Sequence, residues 1–239
     1  MLFTTLFFDL DDTLYPASNG LWNAIRDRMS DYMQTRVGIP AAQIPELRRI
    51  YYETYGTTLR GLQLHYSVKP ADYLAYVHDL PLQDFLQPDP ALRALLSGLP
   101  QRKWIFTNAD AAHARRVLAH LELEDCFIGI VDVAAMGYHC KPEAEAYRLA
   151  LEKAGEEDPH RCVVLDDSPR NLAAAWEMGF TTVLIGANGP DPVAHYHLTR
   201  LHDLWRVFPD LLKKLLTNSS RSNPLPPSSP PAVPSLWEG

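Results

Sequence analysis

Phe7-Phe8-Asp9-Leu10-Asp11-Asp12-Thr13-Leu14 sets three carboxylates within four residues at the end of an apolar run that starts at Leu6. Residues 4–9 are rich in β-formers and read as a short buried strand. Buried strands seldom end in so dense a charge cluster, because an ionised group is costly to bury unless it is paired or metal-bound. The cluster therefore calls for a cation. Tyr15-Pro16 then breaks regular structure.

Downstream, the pattern is helical. Trp22, Ile25, Met29, Tyr32 and Met33 recur at helical spacing over residues 21–33, and Gly38 and Pro40 end that helix. Further helical patterns cover residues 47–55 and 71–78, punctuated by Gly56, Gly61, Pro70 and Pro81. No alternating strand stands out between Tyr15 and Pro88. The rhythm then changes to strand and helix in turn. Residues 103–107 form a strand candidate ending in Thr107-Asn108, and Asp110 is placed to cap a helix with Ala114, Val117, Leu118 and Leu121 on one face. Residues 128–133 are another apolar run. Pro142 is expected to open a helix that turns Tyr147, Ala150, Leu151 and Ala154 inward and closes at Gly155. Residues 162–165 are a strand leading into Asp166-Asp167, Ser168-Pro169 starts a helix ending at Gly179, and residues 181–185 are the last clear strand.

This alternation predicts an α/β fold: a Rossmann-like, doubly wound parallel sheet core with an inserted all-helical cap. The helical block is too long for a simple connection in such a sheet. The expected boundaries are residues 1–14 and 89–216 for the core, 15–88 for the cap, and 217–239 for a disordered Pro/Ser-rich tail. The tail has PxxP spacing from Pro227 to Pro230; a partner for it is unknown, and a solvated tail is the simpler reading.

At 239 residues with a net charge of -7, the chain is long enough for a sizeable core and is poorly suited to nucleic-acid polymers or anionic membranes. Cys126, Cys140 and Cys162 form no CxxC pair and leave an odd count, as expected in a reducing compartment. The apolar start lacks a basic region and is interrupted early by Asp9, unlike a signal peptide, and no apolar run has the length of a membrane span. The expected location is cytoplasmic.

In open parallel sheets, ligands bind at the carboxyl ends of the strands. The residues at those ends are Asp9 and Asp11, Thr107 and Asn108, and Asp166 and Asp167, with Lys141 before the helix expected at Pro142. Taken singly, each has a structural reading: an acidic turn with Asp12 or Thr13 capping, a strand-end threonine, a surface lysine, a helix-capping loop. Their meeting at one sheet edge is what gives them weight.

Together, these four short motifs resemble the haloacid dehalogenase-like superfamily of phosphohydrolases, over nearly all of residues 2–208. Within it, Leu14-Tyr15-Pro16 and Tyr55-Gly56-Thr57-Thr58-Leu59-Arg60-Gly61-Leu62 look like the pyrimidine 5'-nucleotidase-type branch. The resemblance implies that Asp9 is the nucleophile and Asp11 the general acid and base. It implies that Thr107, Asn108 and Lys141 bind the phosphoryl group, Lys141 also neutralising charge on Asp9. Four carboxylates facing a phosphate exceed what one lysine can offset, so a hard divalent cation is expected, Mg²⁺ above all. By resemblance Asp9 and Asp167 give it side-chain oxygens and Asp11 its backbone carbonyl, with Asp166 a ligand either directly or through water.

The expected activity is a Mg²⁺-dependent phosphomonoesterase, a 5'-nucleotidase acting on pyrimidine nucleoside monophosphates. The alternatives are a phosphatase of another small metabolite such as a sugar phosphate, a phosphomutase, a 2-haloacid dehalogenase, or a non-catalytic binding protein on this fold. Asp11 and the Asp166-Asp167 pair argue against the dehalogenase, which needs neither proton donor nor metal. His195 and His197 offer two imidazoles on one strand face but no nearby third ligand, so an exposed strand is the preferred reading. Tyr51, Tyr52, Tyr55, Tyr66, Tyr73 and Tyr76 are read as cap core at helical spacing, with base stacking the alternative. Arg60 and His65 are candidate substrate contacts.

Overall fold

The computed structural model describes residues 3–186 and 191–208; the expected tail at 217–239 lies outside them. In chain order, β1 (Thr5–Phe8) is followed by four helices, α1 (Leu21–Thr35), α2 (Ile44–Tyr55), α3 (Thr58–Tyr66) and α4 (Pro70–Val77). Then come α5 (Pro90–Gly98), β2 (Arg102–Phe106), α6 (Ala111–His120), β3 (Gly129–Val131), α7 (Ala144–Ala154), β4 (Cys162–Asp166), α8 (Pro169–Glu177), β5 (Thr181–Ile185) and β6 (Tyr196–Leu198).

The strands form one sheet in the order β3-β2-β1-β4-β5-β6, and every neighbouring pair is parallel. That is the doubly wound order, and its switch point lies where the chain leaves β1 between β2 and β4. Every residue of β1 is buried, as a central strand covered on both faces must be. Its side chains alternate: Leu6 and Phe8 join a core with Leu92, Leu96, Val117 and Leu118, while Phe7 joins another with Ala146, Tyr147, Leu172 and Ala175. Phe7 meets Phe106 and Phe180 edge-on, at centroid distances of 6.0 and 6.3 Å. Among the described residues no helix is long and apolar enough to cross a membrane.

The helical cap between β1 and α5 is as expected in kind and differs in detail. Gly61, read as a break, lies inside α3. A Cβ there would stand 2.1 Å from Cγ of Tyr51, so the glycine lets α2 and α3 approach face to face. Tyr32 packs edge-on against Tyr73 and Tyr76 at 5.1 and 5.3 Å, joining α1 to α4. Tyr51 and Tyr73 are cap core, whereas Tyr52 and Tyr66 are exposed.

One more expectation is corrected. Pro142 does not open a helix: α7 begins at Ala144 with Glu143 as its cap, so Lys141 sits in the preceding loop. The strand expected around His195 and His197 is present as β6, with Tyr196 exposed, His197 half-buried and His195 just before it. His195 Nδ1 accepts from Thr182 N at 3.1 Å, and His197 Nε2 accepts from Asp191 N at 2.8 Å, so both imidazoles are tied into the β5–β6 connection.

Candidate active site

The sheet brings Asp9, Thr107 and Asp166 together because β1, β2 and β4 are adjacent and in register, with Phe8 opposite Ile105 and Leu165. Lys141 comes from the loop before α7 and is 1 % exposed. Its Nζ donates to Asp9 Oδ1 at 2.7 Å, Asp166 Oδ2 at 2.7 Å and the Phe106 carbonyl at 2.8 Å. An ammonium has three hydrogens, so every donor is used. Lys141, expected to neutralise charge on the phosphoryl oxygens and on Asp9, supplies a fixed charge here and holds two carboxylates.

Asn108 was expected to help position the phosphoryl group or the attacked centre. Its Oδ1 accepts from Lys141 N at 2.8 Å and its Nδ2 donates to Lys141 O at 3.0 Å. It clamps the lysine's backbone. Thr107, 1 % exposed, accepts from Ala109 N at 3.0 Å through Oγ1, which leaves its hydroxyl hydrogen to donate.

Asp166 is fully buried. Besides Lys141, its Oδ1 accepts from Ser168 N at 2.9 Å and from Asn171 Nδ2 at 3.0 Å. Ser168 caps α8, accepting from Asn171 N. Asp167 is exposed. One oxygen from each of Asp9, Asp166 and Asp167 can be chosen so that all lie within 4.8 Å of one another. Burial raises the Asp9 carboxyl well above the usual range, and Asp166 and Asp167 add to this against Lys141. Although the residue as a whole is exposed, the crowding of protein around its carboxyl, and then Asp166 and Asp12, push Asp167 up to about 7. Three hard carboxylate donors gathered this closely fit Mg²⁺.

Asp11 has different surroundings. Its Oδ1 accepts from the Tyr15 hydroxyl and, at 3.0 Å, from His113 Nε2. Burial acts to raise this carboxyl, but His113 and Tyr15 outweigh it and hold Asp11 below the ordinary range. Asp12 takes a left-handed turn conformation at φ 59°, and burial and Asp11 raise it to about 6. Sequence reasoning missed His113, His78 and Tyr15. His113 follows Asp110 by three residues at the start of α6 and was legible only as helix; Tyr15 was legible as a break and as part of the Leu14-Tyr15-Pro16 resemblance, not as a partner of Asp11.

The cap reaches the site at the α2–α3 junction. Tyr55 O accepts from Cys140 Sγ at 3.3 Å, and a Cβ on Gly56 (φ 87°) would stand 3.0 Å from Lys141 O. Tyr55 Oη lies 2.9 Å from His65 Nε2.

Strand tips carrying an aspartate pair, a threonine and a second acidic pair thus meet a buried lysine from the loop before α7 in one site. A haloacid dehalogenase-like hydrolase family model matches residues 3–179, and the chain belongs to that family. Phosphate metabolism protein 8 of Saccharomyces cerevisiae is 30 % identical over 192 residues, which cover 74 % of this chain and 60 % of that protein. The chain thus spans about 60 % of the length of this curated relative. Among solved structures, the magnesium-bound HAD-hydrolase YfnB from Bacillus subtilis superposes with a TM-score of 0.61 at 17 % identity, covering 87 % of this chain and 100 % of that one. L-2-haloacid dehalogenase from Xanthobacter autotrophicus superposes with a TM-score of 0.57 at 16 % identity, covering 87 % and 99 %. At such identities the likeness shows a shared fold, and the chemistry has to be argued from the site.

Proposed function

We propose that this protein is a Mg²⁺-dependent phosphomonoesterase working through an aspartyl-phosphate on Asp9. The observation that carries the reading is the trio of Asp9, Asp166 and Asp167 gathered beside one lysine whose hydrogens are all used. Displacing halide needs no such surplus of carboxylates; binding a cation against a phosphate does.

An oxygen of Asp9 attacks phosphorus, and the bond from phosphorus to the ester oxygen breaks with its electron pair left on that oxygen. Asp11 gives that oxygen a proton, because an alkoxide leaves poorly without one. Water then attacks the same phosphorus and yields its proton to Asp11. The bond to Asp9 breaks, releasing inorganic phosphate and restoring both carboxyls. The Thr107 hydroxyl donates to a phosphoryl oxygen, and Lys141, aligned by Asn108 and Asp166, keeps Asp9 in place. Bound by Asp9 and Asp167, with the Asp11 carbonyl and with Asp166 alongside, Mg²⁺ would offset the collected negative charge and favour ionised Asp9. A dianionic ester beside Asp11 favours its protonated form, as an acid role requires.

The substrate class we infer is nucleoside 5'-monophosphates, pyrimidine ones in particular. It is supported by the resemblance of residues 55–62 to that branch and by the place of Tyr55 and Gly56, whose backbone lies against the Cys140–Lys141 loop. The name of the yeast relative, a phosphate metabolism protein, accords with this chemistry. We take the cap as residues 15–88 and place the protein in the cytoplasm, where its three buried cysteines, all free, would stay reduced.

The test is phosphate release from a panel of nucleotides and sugar phosphates with Mg²⁺, repeated in EDTA. Release with Mg²⁺, lost on chelation and greatest for pyrimidine nucleotides, is expected. Greater turnover of sugar phosphates would move the substrate class, and no release from any ester would overturn the reading.

A further inference from the structure

The two oxygens of Asp11 are held unequally. Oδ1 takes both protein hydrogen bonds, from the Tyr15 hydroxyl and from His113 Nε2 at 3.0 Å. Oδ2 makes none among the described residues. Behind His113 lies a chain of contacts running into the cap. Its fully buried ring stacks on His78, with centroids 4.0 Å apart and planes 14° from parallel. His78 Nδ1 is 2.6 Å from Asp110 Oδ2, and Asp110 Oδ1 accepts from His113 N at 2.9 Å. Arg116 holds the same segment by donating to the carbonyls of His78 at 2.8 Å and Leu80 at 2.6 Å. Tyr15 stands where the chain passes from β1 towards the cap, and His78 immediately follows α4.

We propose that Tyr15 and the stacked pair His113–His78 are positioning residues that pin Oδ1 of Asp11 and so assign Oδ2 as the oxygen that carries the transferred proton. This inference rests on Asp11 being the general acid and base. A carboxylic acid bears its proton on one oxygen while the other accepts hydrogen bonds. Two donors converging on Oδ1 make it the accepting oxygen and leave the proton to Oδ2. They also restrict rotation of the carboxyl group, which is otherwise broad and roughly two-fold. A purely space-filling role does not account for His113. Its Nδ1 is buried with no hydrogen-bond partner, a cost that an apolar side chain in the same space would avoid. The ring is retained with one nitrogen on Asp11.

The experiment compares Asp11→Asn, His113→Leu, His113→Gln and Tyr15→Phe on uridine 5'-monophosphate, whose leaving alkoxide needs a proton, and on p-nitrophenyl phosphate, whose leaving group needs little. His113→Leu is expected to lower kcat on the nucleotide about 10- to 100-fold, a share of the whole acid–base contribution, with KM little changed and a far smaller loss on the aryl ester. His113→Gln, which can present an N–H in its place, should recover most of the loss. In an Asp11→Asn background, His113→Leu should cost nothing more. Equal slowing of both esters, or a further loss in that background, would overturn the proposal. Should His113→Leu fail to fold, Tyr15→Phe against Asp11→Asn decides by the same criterion. If Asp11→Asn itself does not discriminate between the esters, the acid–base reading fails, an outcome distinct from failure of the positioning.

Discussion

Asp9 and Asp11 are two residues apart in one loop and live in opposite surroundings. Asp9 is fastened to the sheet: its partner Lys141 is anchored to Asp166 at the end of β4 and to Phe106 O at the end of β2. Asp11 is fastened to groups at both passages into the cap, directly through Tyr15 and through His113 with its stacked neighbour His78. One carboxyl is raised by burial and like charge; the other is lowered because its donors outweigh its burial. Both shifts run against the proposed roles, an ionised nucleophile and a protonated acid, so a bound cation and a dianionic ester are what would reverse them. The comparison teaches that the proposed nucleophile is held to the central sheet, whereas the proposed acid is held where the chain passes between core and cap.

The largest effect belongs to the sheet-anchored side. Asp9→Asn keeps the shape and loses the nucleophile, so phosphate release should fall about a thousandfold or more with the melting temperature little changed. Substantial turnover by that variant, once shown pure by mass spectrometry, would remove Asp9 from the chemistry.

Asn108→Ala reaches the same side indirectly. It removes both clamps on the Lys141 backbone and should cost about 1–3 kcal/mol of stability in urea titration. It should slow nucleotide and aryl ester alike, since it disturbs Asp9 and leaves the donors of Asp11 in place. Selective slowing of the nucleotide would show that the two sides are not separate.

The smallest effect concerns the cap passage. Burial acts to raise Asp110, but its bonds to His78 and to the backbone of His113 bring it from an ordinary 3.8 to about 2. A carboxyl depressed by folding stabilises the protein fully above its ordinary value, and that contribution is lost as pH falls from about 4 through about 2. Asp110→Asn should therefore flatten the fall in melting temperature over that interval. An unaltered acid limb would mean that this carboxyl adds nothing to the joint between core and cap.

Much of this was legible from local pattern. The strands β1, β2, β4 and β5, the Asp110 and Ser168 caps and the clustering of Asp9, Thr107 and Asp166 all follow from apolar runs ending in polar residues, since parallel strands bring their carboxyl ends to one edge. Errors arose where packing overrode local preference. Gly61 stays helical because the Tyr51 ring occupies the space of its missing side chain. Pro142 precedes α7 rather than opening it, and the loop it belongs to is the one whose Lys141 backbone Asn108 clamps.

The sequence by itself determined which groups stand at the strand ends, because alternation and strand-end chemistry are properties of neighbouring residues. It also determined the spacing of Asp9 and Asp11. Only the tertiary structure decided what holds each of them. Lys141 lies 132 residues from Asp9, and His113 lies 102 from Asp11. Hydrogen bonds act over about 3 Å, and no local pattern encodes which distant side chain the folded chain will bring within that reach.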